Sequence, residues 1–384
     1  MNVWDVCLTH DPVYGGIHRS VENFATALES RVLSFDDGAV DRSALVSSMP
    51  VVRVESRPRL LNRSCHWVTP AMSAAADRAV AGADLLVVHS LFRGHAPWAA
   101  GWCARHARPY VSVLEGCLDP WGLATRPVAK RAWLEHHGRR YLAGAARVIA
   151  ATGREAEKAT AWLAPAALTV IHWPVPLPAA VDGAAIRAAC RSSWGVPDGH
   201  RVLLFVGRLH PMKRPTFMLE AFLRAAVPEC HLVVVGMEEG VTMAALRALV
   251  PREDADRVHV IGSLAGGDLT AAYHAADGFI SLSHRENFGY AFAEAMAHGL
   301  PAIVSAGHDL AHDVGRGGRG DFPCGWLLPD ESSATATAAI RAFAAASPAQ
   351  LSAAGETGRA WVADHLSFDR FRDRLRRLAA NVIG

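Results

Sequence analysis

The sequence predicts an α/β protein built from two doubly wound domains. Short apolar runs alternate with alanine-rich stretches of helical character along the whole chain. Continuous apolar strands that are separated by helices indicate parallel sheets covered on both faces. A chain of 384 residues is long enough for two domains, each with its own core.

Two series of strands are expected, one in each half of the chain. The first series comprises residues 3–8, 51–55, 84–89, 109–114, 147–151 and 168–171. The second series comprises residues 202–206, 231–236, 258–262, 278–282 and 301–304. The two halves therefore repeat one architecture, although the sequence itself contains no recognisable repeat.

The segment HWPVPLPAAVDG, at residues 172–183, separates the two series. Its three prolines stand at alternate positions, which forbids a helix and disfavours a central strand, so the segment is interpreted as a stiff linker. The predicted organisation is a first domain over residues 1–172, a linker and junction over 173–200, and a second domain over 201–365. The last helix, within residues 366–384, is a candidate to pack back on the first domain.

Composition excludes several classes of protein. A formal net charge of +2 gives no electrostatic indication of a nucleic-acid partner. The seven cysteines never form a C-x-x-C pair, which indicates reduced thiols rather than a disulfide framework or a zinc site. The N-terminus has no basic start and carries Asp5 and Asp11, and no window of eighteen residues is apolar and uncharged. We therefore expect a cytoplasmic protein.

A glycine pair follows the first predicted strand. The residues Tyr14, Gly15, Gly16 and Ile17 precede a helix predicted at about residues 19–28. Paired glycines at a strand-to-helix turn allow backbone N–H groups to approach a phosphate closely. Most Gly-Gly turns have no such role, so the pair alone is weak evidence.

The sequence VGRLHPMKRP, at residues 206–215, follows the first strand of the second domain. Arg208 and Lys213 should stand at the carboxyl edge of a parallel sheet, where ligands bind in such folds, and two cations there suit a diphosphate. Only three of the 39 basic residues are lysines, so Lys213 has persisted in an arginine-rich chain. This favours a chemical requirement for Lys213 over a solvated loop cation.

The stretch SHRENFGYAFAEAMAHGLP, at residues 283–301, contains two glutamates in an E-x7-E pattern, Glu286 and Glu294. The glycine and proline at its end predict a helix over about residues 287–298, with the N–H groups of Asn287, Phe288 and Gly289 near its start. Eight residues of helix span about 12 Å, too far for both carboxylates to act on one bond as glycosidase pairs do. Two contacts to the two ends of one long ligand fit better than two solvated glutamates.

The loop VLEGCLDPWG, at residues 113–122, places Glu115 and Asp119 after a strand of the first domain. Asp119 precedes a proline and is interpreted as a turn residue rather than a catalyst. Two other patterns are interpreted as chance matches. GRGGRG at 315–320 lacks the strand and helix of a dinucleotide site, and the D-x-D at 254–256 lies in a polar connection.

The combination of VGRLHPMKRP and ADGFISLSHRENFGYAFAEAMAHGLPAIVS resembles the carboxyl-terminal domain of retaining glycosyltransferases of family 4. Upstream, DPVYGGIHRSVENFATAL, LLVVHSLF, LDPWGL and IAATGREAEK resemble the amino-terminal domain of the same family. The resemblance covers nearly the whole chain. It implies the GT-B fold, in which two Rossmann-like domains face each other across a cleft, with the acceptor on the first and the nucleotide-sugar donor on the second.

The resemblance also implies residue roles. Arg208 and Lys213 would hold the donor diphosphate, with Gly15 and Gly16 approaching it from the first domain. Glu286 and the backbone of the next three residues, Asn287, Phe288 and Gly289, would bind the donor sugar. Glu294 would bind the ribose of a UDP-type or GDP-type donor. Catalysis would need no protein nucleophile and no metal or other cofactor, because placement and stabilisation of the diphosphate charge suffice.

Two departures from the family pattern stand out. Many relatives carry histidine before glycine where this chain has Glu115-Gly116, and Pro-Asn-Gly where this chain has His172-Trp173-Pro174. An ionised carboxylate beside a diphosphate would be repelled, so Glu115 is expected to be protonated, paired with a cation, or turned toward the acceptor, where it would orient the attacking hydroxyl. A purely structural, salt-bridged Glu115 is the competing interpretation.

Three functions are consistent with these patterns. The first is transfer of a hexosyl group, with retention, from a nucleotide diphosphate sugar to a hydroxyl of a glycan, a lipid-linked or a small acceptor. The others are a nucleotide-sugar epimerase of the same fold and a non-catalytic sugar-nucleotide-binding protein. The basic segment at residues 126–147, with Trp133, Leu134 and Tyr141, could also give a weak peripheral contact with the inner face of a membrane, but a solvated helix face is the favoured interpretation.

Overall fold

A computed structural model describes residues 1–8, 10, 15–35, 50–54, 68–179, 183–315 and 322–384 of the protein. The chain divides into two compact units, Met1–Pro174 with Phe368–Gly384, and Val175–Ser367. Each unit contains one parallel sheet, of seven strands in the first and six in the second. The predicted α/β class with parallel sheets is confirmed.

The first unit is a seven-stranded sheet between helices. Its strands are β1 Val3–Cys7, β2 Arg31–Ser34, β3 Val51–Arg53, β4 Leu85–His89, β5 Tyr110–Val113, β6 Arg147–Ala150 and β7 Leu168–Val170. Their order in the sheet is β3-β2-β1-β4-β5-β6-β7, so the direction of winding reverses between β1 and β4. Ligands of doubly wound folds bind outside the carboxyl ends of the strands at such a reversal.

Eight helices of the first unit lie within its described residues. They are α1 Gly16–Leu28, α2 Pro70–Ala79, α3 His95–His106, α4 Pro120–Ala124, α5 Pro127–Trp133, α6 Arg139–Gly144, α7 Gly153–Ala159 and, at the end of the chain, α16 Phe368–Ile383. A π-helical turn, Leu134–Gly138, joins α5 to α6. The α16 helix packs on α1, where Phe371 contacts Phe24 edge to face at 5.1 Å between ring centroids. The C-terminal helix is thus part of the first unit.

The second unit repeats this design around six strands. They are β8 Arg201–Val206, β9 Cys230–Val235, β10 Val258–Ile261, β11 Gly278–Ser281, β12 Ala302–Ser305 and β13 Gly325–Leu328. Their order is β10-β9-β8-β11-β12-β13, so the winding reverses between β8 and β11. Most of the core strands are buried along their length, which explains why their sequences are continuous apolar runs.

Eight helices cover the described part of the second sheet. They are α8 Gly183–Ser193, α9 Pro215–Ala225, α10 Met243–Ala248, α11 Gly266–Ala275, α12 Tyr290–Ala297, α13 Asp309–Gly315, α14 Ser333–Ala345 and α15 Pro348–His365. Short 3-10 turns occupy Pro211–Lys213 and Arg252–Arg257, and a third, Pro165–Ala167, precedes β7. Phe205, Phe222 and Ile303 belong to the buried cluster between this sheet and its helices.

The structure differs from the sequence prediction at two strands and in the junction. The strands β2 and β13, each of four residues, were not predicted. The predicted junction at 173–200 contains an extended segment up to residue 179 and then helix α8. Arg187 and Arg191 of α8 both contact the carboxylate of Asp277, so this helix is fixed to the second unit. Residues 180–182 of the proposed linker lie outside the described residues.

Candidate donor site in the second unit

Three loops meet at the carboxyl edge of the second sheet, beside the reversal between β8 and β11. The N–H of His284, after β11, donates to the carbonyl of Met212, after β8, at 2.9 Å. The N–H of Glu286 donates to the carbonyl of Gly307, after β12, at 2.8 Å. A Cβ on Gly307 would lie 2.4 Å from the carbonyl oxygen of His284, so only glycine permits this approach. The backbone therefore holds the loops that carry Lys213 and Glu286 together.

Lys213 ends the short turn Pro211–Lys213 and contacts the carboxylate of Glu286. The turn is fixed by His210, whose Nδ1 accepts a hydrogen bond from the N–H of Met212 at 3.0 Å. The side chains of Lys213 and Glu286 are only 16% and 17% exposed, so the pair is mostly shielded from water. The two residues that the sequence analysis assigned to diphosphate and sugar are thus direct neighbours.

The pKa of Lys213 lies close to neutral pH. Burial, together with the guanidinium groups of Arg208 and Arg285, lowers the pKa of its ammonium to about 7, against the opposing charge of Glu239. The contact with the Glu286 carboxylate favours the charged form. The protonation of Lys213 therefore depends on the anions around it, and a bound diphosphate would favour the ammonium.

Arg208 follows β8 but is more exposed than Lys213. Its Nη1 donates to Oε2 of Glu239 at 2.5 Å, and the two side chains are 44% and 40% exposed. An ion pair this accessible to solvent contributes little to stability. Arg208 is therefore able to exchange Glu239 for a stronger anion at small cost.

The segment 286–289 precedes the helix instead of opening it. Helix α12 begins at Tyr290, and the predicted start at residue 287 is wrong, because Gly289 has φ 75°, outside the helical region. A Cβ at Gly289 would also lie 2.9 Å from Cγ of Glu286. The estimate of about 12 Å between Glu286 and Glu294 assumed a helical rise over all the residues between them. That rise applies only after Gly289.

Asn287 and Phe288 occupy different environments in this segment. The amide oxygen of Asn287 is shielded from solvent, and no described residue hydrogen-bonds to it. Buried polar atoms are usually satisfied, so this acceptor has capacity for a donor group of a ligand. Phe288 is 4% exposed and packs edge to face on Tyr290, so only its backbone is available to a ligand.

Glu294 lies on α12, off the buried face formed by Phe292, Ala295 and Met296. Its Oε2 accepts a hydrogen bond from the hydroxyl of Tyr273 at 2.9 Å. Tyr273 is 2% exposed, so its hydroxyl orients the carboxylate from the interior of the unit. An oriented, partly exposed carboxylate is suited to accept bonds from hydroxyl groups of a ligand.

His308 is a buried residue of this site that the sequence analysis missed. It pairs with Glu286 in a short parallel bridge after β12, and its Nε2 lies 2.9 Å from Oγ of Ser281. Burial, together with the charge of Lys213, lowers the pKa of His308 to about 3, so the ring is neutral. Its position directly after a buried strand was the available signal, because that is the ligand edge of the sheet.

Residues singled out in the first unit

Gly15 and Gly16 stand at the start of α1, beside the reversal between β1 and β4. Gly15 caps the helix with φ 53°, and helix α1 begins at Gly16, three residues before the predicted start. The first N–H groups of a helix have no partner within it, which suits an approach to an anion. Tyr14 of the same motif lies outside the described residues.

Glu115 is held by a buried histidine. Oε1 of Glu115 lies 3.1 Å from Nδ1 of His89 and accepts a hydrogen bond from Ser20 at 2.7 Å. Nε2 of His89 lies 2.8 Å from Oδ1 of Asp5. Burial of the His89 imidazole lowers its pKa, but the hydrogen bonds to Asp5 and Glu115 have a larger combined effect. The pKa of His89 is therefore raised to about 9. The contact with His89, whose raised pKa favours its charged form, agrees with pairing of Glu115 with a cation.

The loop of Glu115 is fixed from its other side by Glu155. Thr152 caps α7 as the sequence predicted, accepting from the N–H of Glu155 at 3.1 Å. The Glu155 carboxylate, 4% exposed, accepts from the N–H of Ala151 at 2.6 Å and from that of Gly116. The unusual Glu-Gly pair at 115–116 is thus built into the unit by buried groups on both sides.

The interpretation of Asp119 as a turn residue is confirmed. Its Oδ1 accepts from the N–H of Trp121 at 2.9 Å and caps α4, while Oδ2 pairs with Lys158 at 2.6 Å.

Asp254 of the D-x-D pattern pairs with Arg257 at 2.6 Å. Helix α13 ends at Gly315, the first residue of the GRGGRG pattern, and the rest of the pattern, residues 316–320, lies outside the described residues.

The large apolar side chains Trp133, Leu134 and Tyr141 of the basic segment 126–147 pack against other residues of the first unit. Leu134 and Tyr141 are 1% and 2% exposed, and Trp133 packs against Phe92. The exposed face presents arginines together with Val128, which is 83% exposed. Throughout the residues that the structure describes, every helix is too short or too polar to cross a membrane.

Comparison with known proteins relates the chain to glycosyltransferases. Residues 187–361 match the family described as Glycosyl transferases group 1. A D-inositol 3-phosphate glycosyltransferase of Mycolicibacterium gilvum is 27% identical over 80% of this chain and 69% of its own length. The corresponding protein of Mycobacterium sp. (strain KMS) is 33% identical, over 42% of this chain and 37% of its own length.

Solved structures share the fold. HepE of Anabaena, in complex with UDP and glucose, has a TM-score of 0.77 and 18% identity, over 99% of this chain and 100% of its own. Sucrose-phosphate synthase of Thermosynechococcus elongatus has a TM-score of 0.75 and 20% identity, over 100% of this chain and 99% of its own. The topology of the two sheets and these neighbours establish the GT-B fold.

Proposed function

We propose that the protein is a retaining glycosyltransferase, because residues 187–361 match the family described as Glycosyl transferases group 1. It transfers a hexosyl group from a nucleotide diphosphate sugar to a hydroxyl acceptor. The observation that carries this proposal is the convergence of Lys213, Glu286 and Asn287 beside the reversal between β8 and β11. A cation, a carboxylate and an unsatisfied amide oxygen at this edge match the charge and the hydroxyl groups of such a donor.

The donor diphosphate would bind at Lys213 and Arg208. Its negative charge grows as the bond to the sugar breaks, so a cation that is shielded from water stabilises the leaving group strongly. Glu286 and Asn287 would accept hydrogen bonds from the sugar, and Glu294 from the ribose. Since complexes of HepE contain UDP and UDP-glucose, UDP sugars are the first donors to test.

The acceptor hydroxyl would attack on the face of the sugar that the diphosphate leaves. The departing phosphate then takes up the proton, so no protein nucleophile is needed. Glu115 is proposed to orient that hydroxyl. Its Oε1 is already occupied by His89 and Ser20, so the hydroxyl would bind the other oxygen. Glu115→Gln should lower transfer strongly at saturating donor and leave donor affinity unchanged, whereas normal transfer with tighter donor binding would overturn this role.

Thermal-shift measurements with UDP and GDP sugars identify the donor, because a ligand at 100 times its Kd adds about 2.7 kcal/mol of stability. The bound donor is then followed by NMR, alone and with hydroxyl acceptors, including polyol phosphates. A new glycoside with the donor's anomeric configuration, formed only with acceptor, supports the proposal. A new sugar nucleotide formed without acceptor indicates an epimerase, and binding without turnover indicates a non-catalytic protein.

Independence of a metal is part of the proposal, because Arg208 and Lys213 supply the charge that a divalent cation supplies in other enzymes. Transfer should persist in EDTA. Loss of transfer in EDTA and its recovery with magnesium or manganese would show that the two cations are not the main stabilisers of the diphosphate.

Weak peripheral contact with a membrane remains a proposal that rests on the exposed arginines of α5 and α6. Cosedimentation with vesicles of anionic and of neutral lipid tests it. Binding that requires anionic lipid and is lost in high salt would support the contact.

A further inference from the structure

We propose that His10, His18 and Glu22 form a binding site for a divalent cation of the zinc class in the first unit. One candidate ligand atom of each side chain lies within 4.8 Å of the other two. Among the described residues, this is the one group of three His, Cys, Asp or Glu side chains that could hold a metal ion. The three residues belong to the first unit and are not among those assigned to the donor, so the inference goes beyond the proposed function.

The spacing of the three side chains is close to that of a loaded site. Nε2 of His18 lies 3.4 Å from Oε1 of Glu22, and Nε2 of His10 lies 3.9 Å from the same oxygen. Ligands of a tetrahedral zinc ion, with bonds of about 2.0–2.1 Å, lie about 3.4 Å apart. One pair already has this separation, a second needs to close by about 0.5 Å, and the third, between the two imidazoles, lies within 4.8 Å.

The local structure explains why the three side chains converge. His18 and Glu22 are four residues apart on α1, so both project from one face of that helix. His10 comes from the chain after β1, and its ring packs against that of His18 with centroids 4.4 Å apart. The side chains of His10, His18 and Glu22 are 1%, 15% and 35% exposed. The cluster is therefore enclosed on the side of His10 and open on the side of Glu22.

The donor set determines the kind of cation. Two imidazoles and one carboxylate are the ligands of zinc sites that keep a fourth position open for water or another molecule. Magnesium and calcium prefer oxygen ligands throughout, so they should bind poorly here. A bound ion would link the chain after β1 to the first turns of α1, next to Gly15 and Gly16. The alternative is that Glu22 simply pairs with two imidazoles and that no metal binds.

Metal content measures the proposal directly. The full chain is stripped with a chelator, dialysed against zinc or cobalt(II), and assayed for bound metal by atomic emission. We expect wild type to retain one ion per chain, and His18→Ala and Glu22→Gln to retain none. His136→Ala, which removes an exposed histidine of another helix, should retain the ion.

Cobalt(II) adds a readout of geometry, because its visible absorption is intense in a tetrahedral site and weak in an octahedral one. An intense spectrum in wild type that is absent in Glu22→Gln supports the site, and thermal unfolding of each stripped variant confirms that it is folded. The proposal is overturned if stripped wild type takes up no ion, or if His18→Ala and Glu22→Gln, both folded, take up as much as wild type does.

Discussion

The side chain of Lys213 contacts the carboxylate of Glu286. The cation proposed for the diphosphate and the carboxylate proposed for the sugar are thus direct partners. A donor that places its phosphate at Lys213 and its hydroxyl groups at Glu286 would replace this mutual contact by one contact to each residue. Substitutions of Lys213 and of Glu286 would then each affect the binding of the same donor, one through its phosphate and the other through its sugar.

Replacement of Lys213 should be severe. Lys213→Ala is expected to lower turnover by about 100-fold or more, the scale of losing one charge-stabilising donor. Lys213→Arg should also be poor, because the planar guanidinium does not fit a position that is 16% exposed and shaped for an ammonium. Lys130→Ala, which removes a lysine of the first unit, is the matched control in steady-state assays. Wild-type turnover in Lys213→Ala would end the assignment.

Nucleotide binding should take up a proton above neutral pH. In the free protein the pKa of Lys213 is lowered to about 7, so at about pH 8 the side chain is largely neutral. A bound diphosphate favours the ammonium, so affinity should fall as the pH rises above 7. Calorimetry in two buffers of different ionisation enthalpy measures the uptake. Lys213→Arg should lack this contribution, and identical heats for wild type in both buffers would argue against it.

Substitutions of Glu286 and Glu294 should have different effects on nucleotide affinity and on transfer. Glu294→Ala is expected to weaken binding of the free nucleoside diphosphate, because its proposed partner is the ribose. Glu286→Ala should damage transfer but leave nucleotide affinity unchanged or raised, because Lys213 loses a competing anion. Calorimetry with the nucleotide product compares the variants, and equal losses of affinity in both would contradict this division of roles.

The buried histidine of the first unit should make stability depend on pH. The pKa of His89 is raised from 6.5 to about 9, so its contribution is fully present below pH 6.5 and is lost as the pH rises through 9. Thermal unfolding between these values should show a falling Tm that is attenuated in Glu115→Gln, which removes one of the two carboxylate partners. A Tm profile that is the same in wild type and variant would show that the pair with Glu115 does not hold the charge.

The carboxyl ends of most strands could be located from the sequence. The side-chain contacts that form there could not. Runs such as those of β8 and β9 are apolar because both faces of the strand are covered, so they were visible without a structure. By contrast, His89 meets Asp5 and Glu115 only because β4 lies between β1 and β5 in the sheet. Sheet order depends on tertiary packing, which residue spacing does not encode.

The start of α12 shows a second limit of the sequence analysis. The glycine and proline at residues 299 and 301 correctly predicted the end of the helix, but Gly289 adopts a positive φ and delays the first turn to Tyr290. A glycine in sequence permits that conformation without requiring it. The same uncertainty applied to Gly15, because helix α1 begins earlier than predicted.

Calorimetric titration of the protein with nucleoside diphosphates and their sugars is the decisive test of the proposed donor site. We expect one nucleotide, of the UDP or GDP type, to bind wild type and Lys130→Ala equally. Lys213→Ala should bind it at least about 10-fold more weakly, the loss of one hydrogen bond to a charged group. Unchanged affinity in folded Lys213→Ala, or no binding of any sugar nucleotide to wild type, would overturn the proposed donor site.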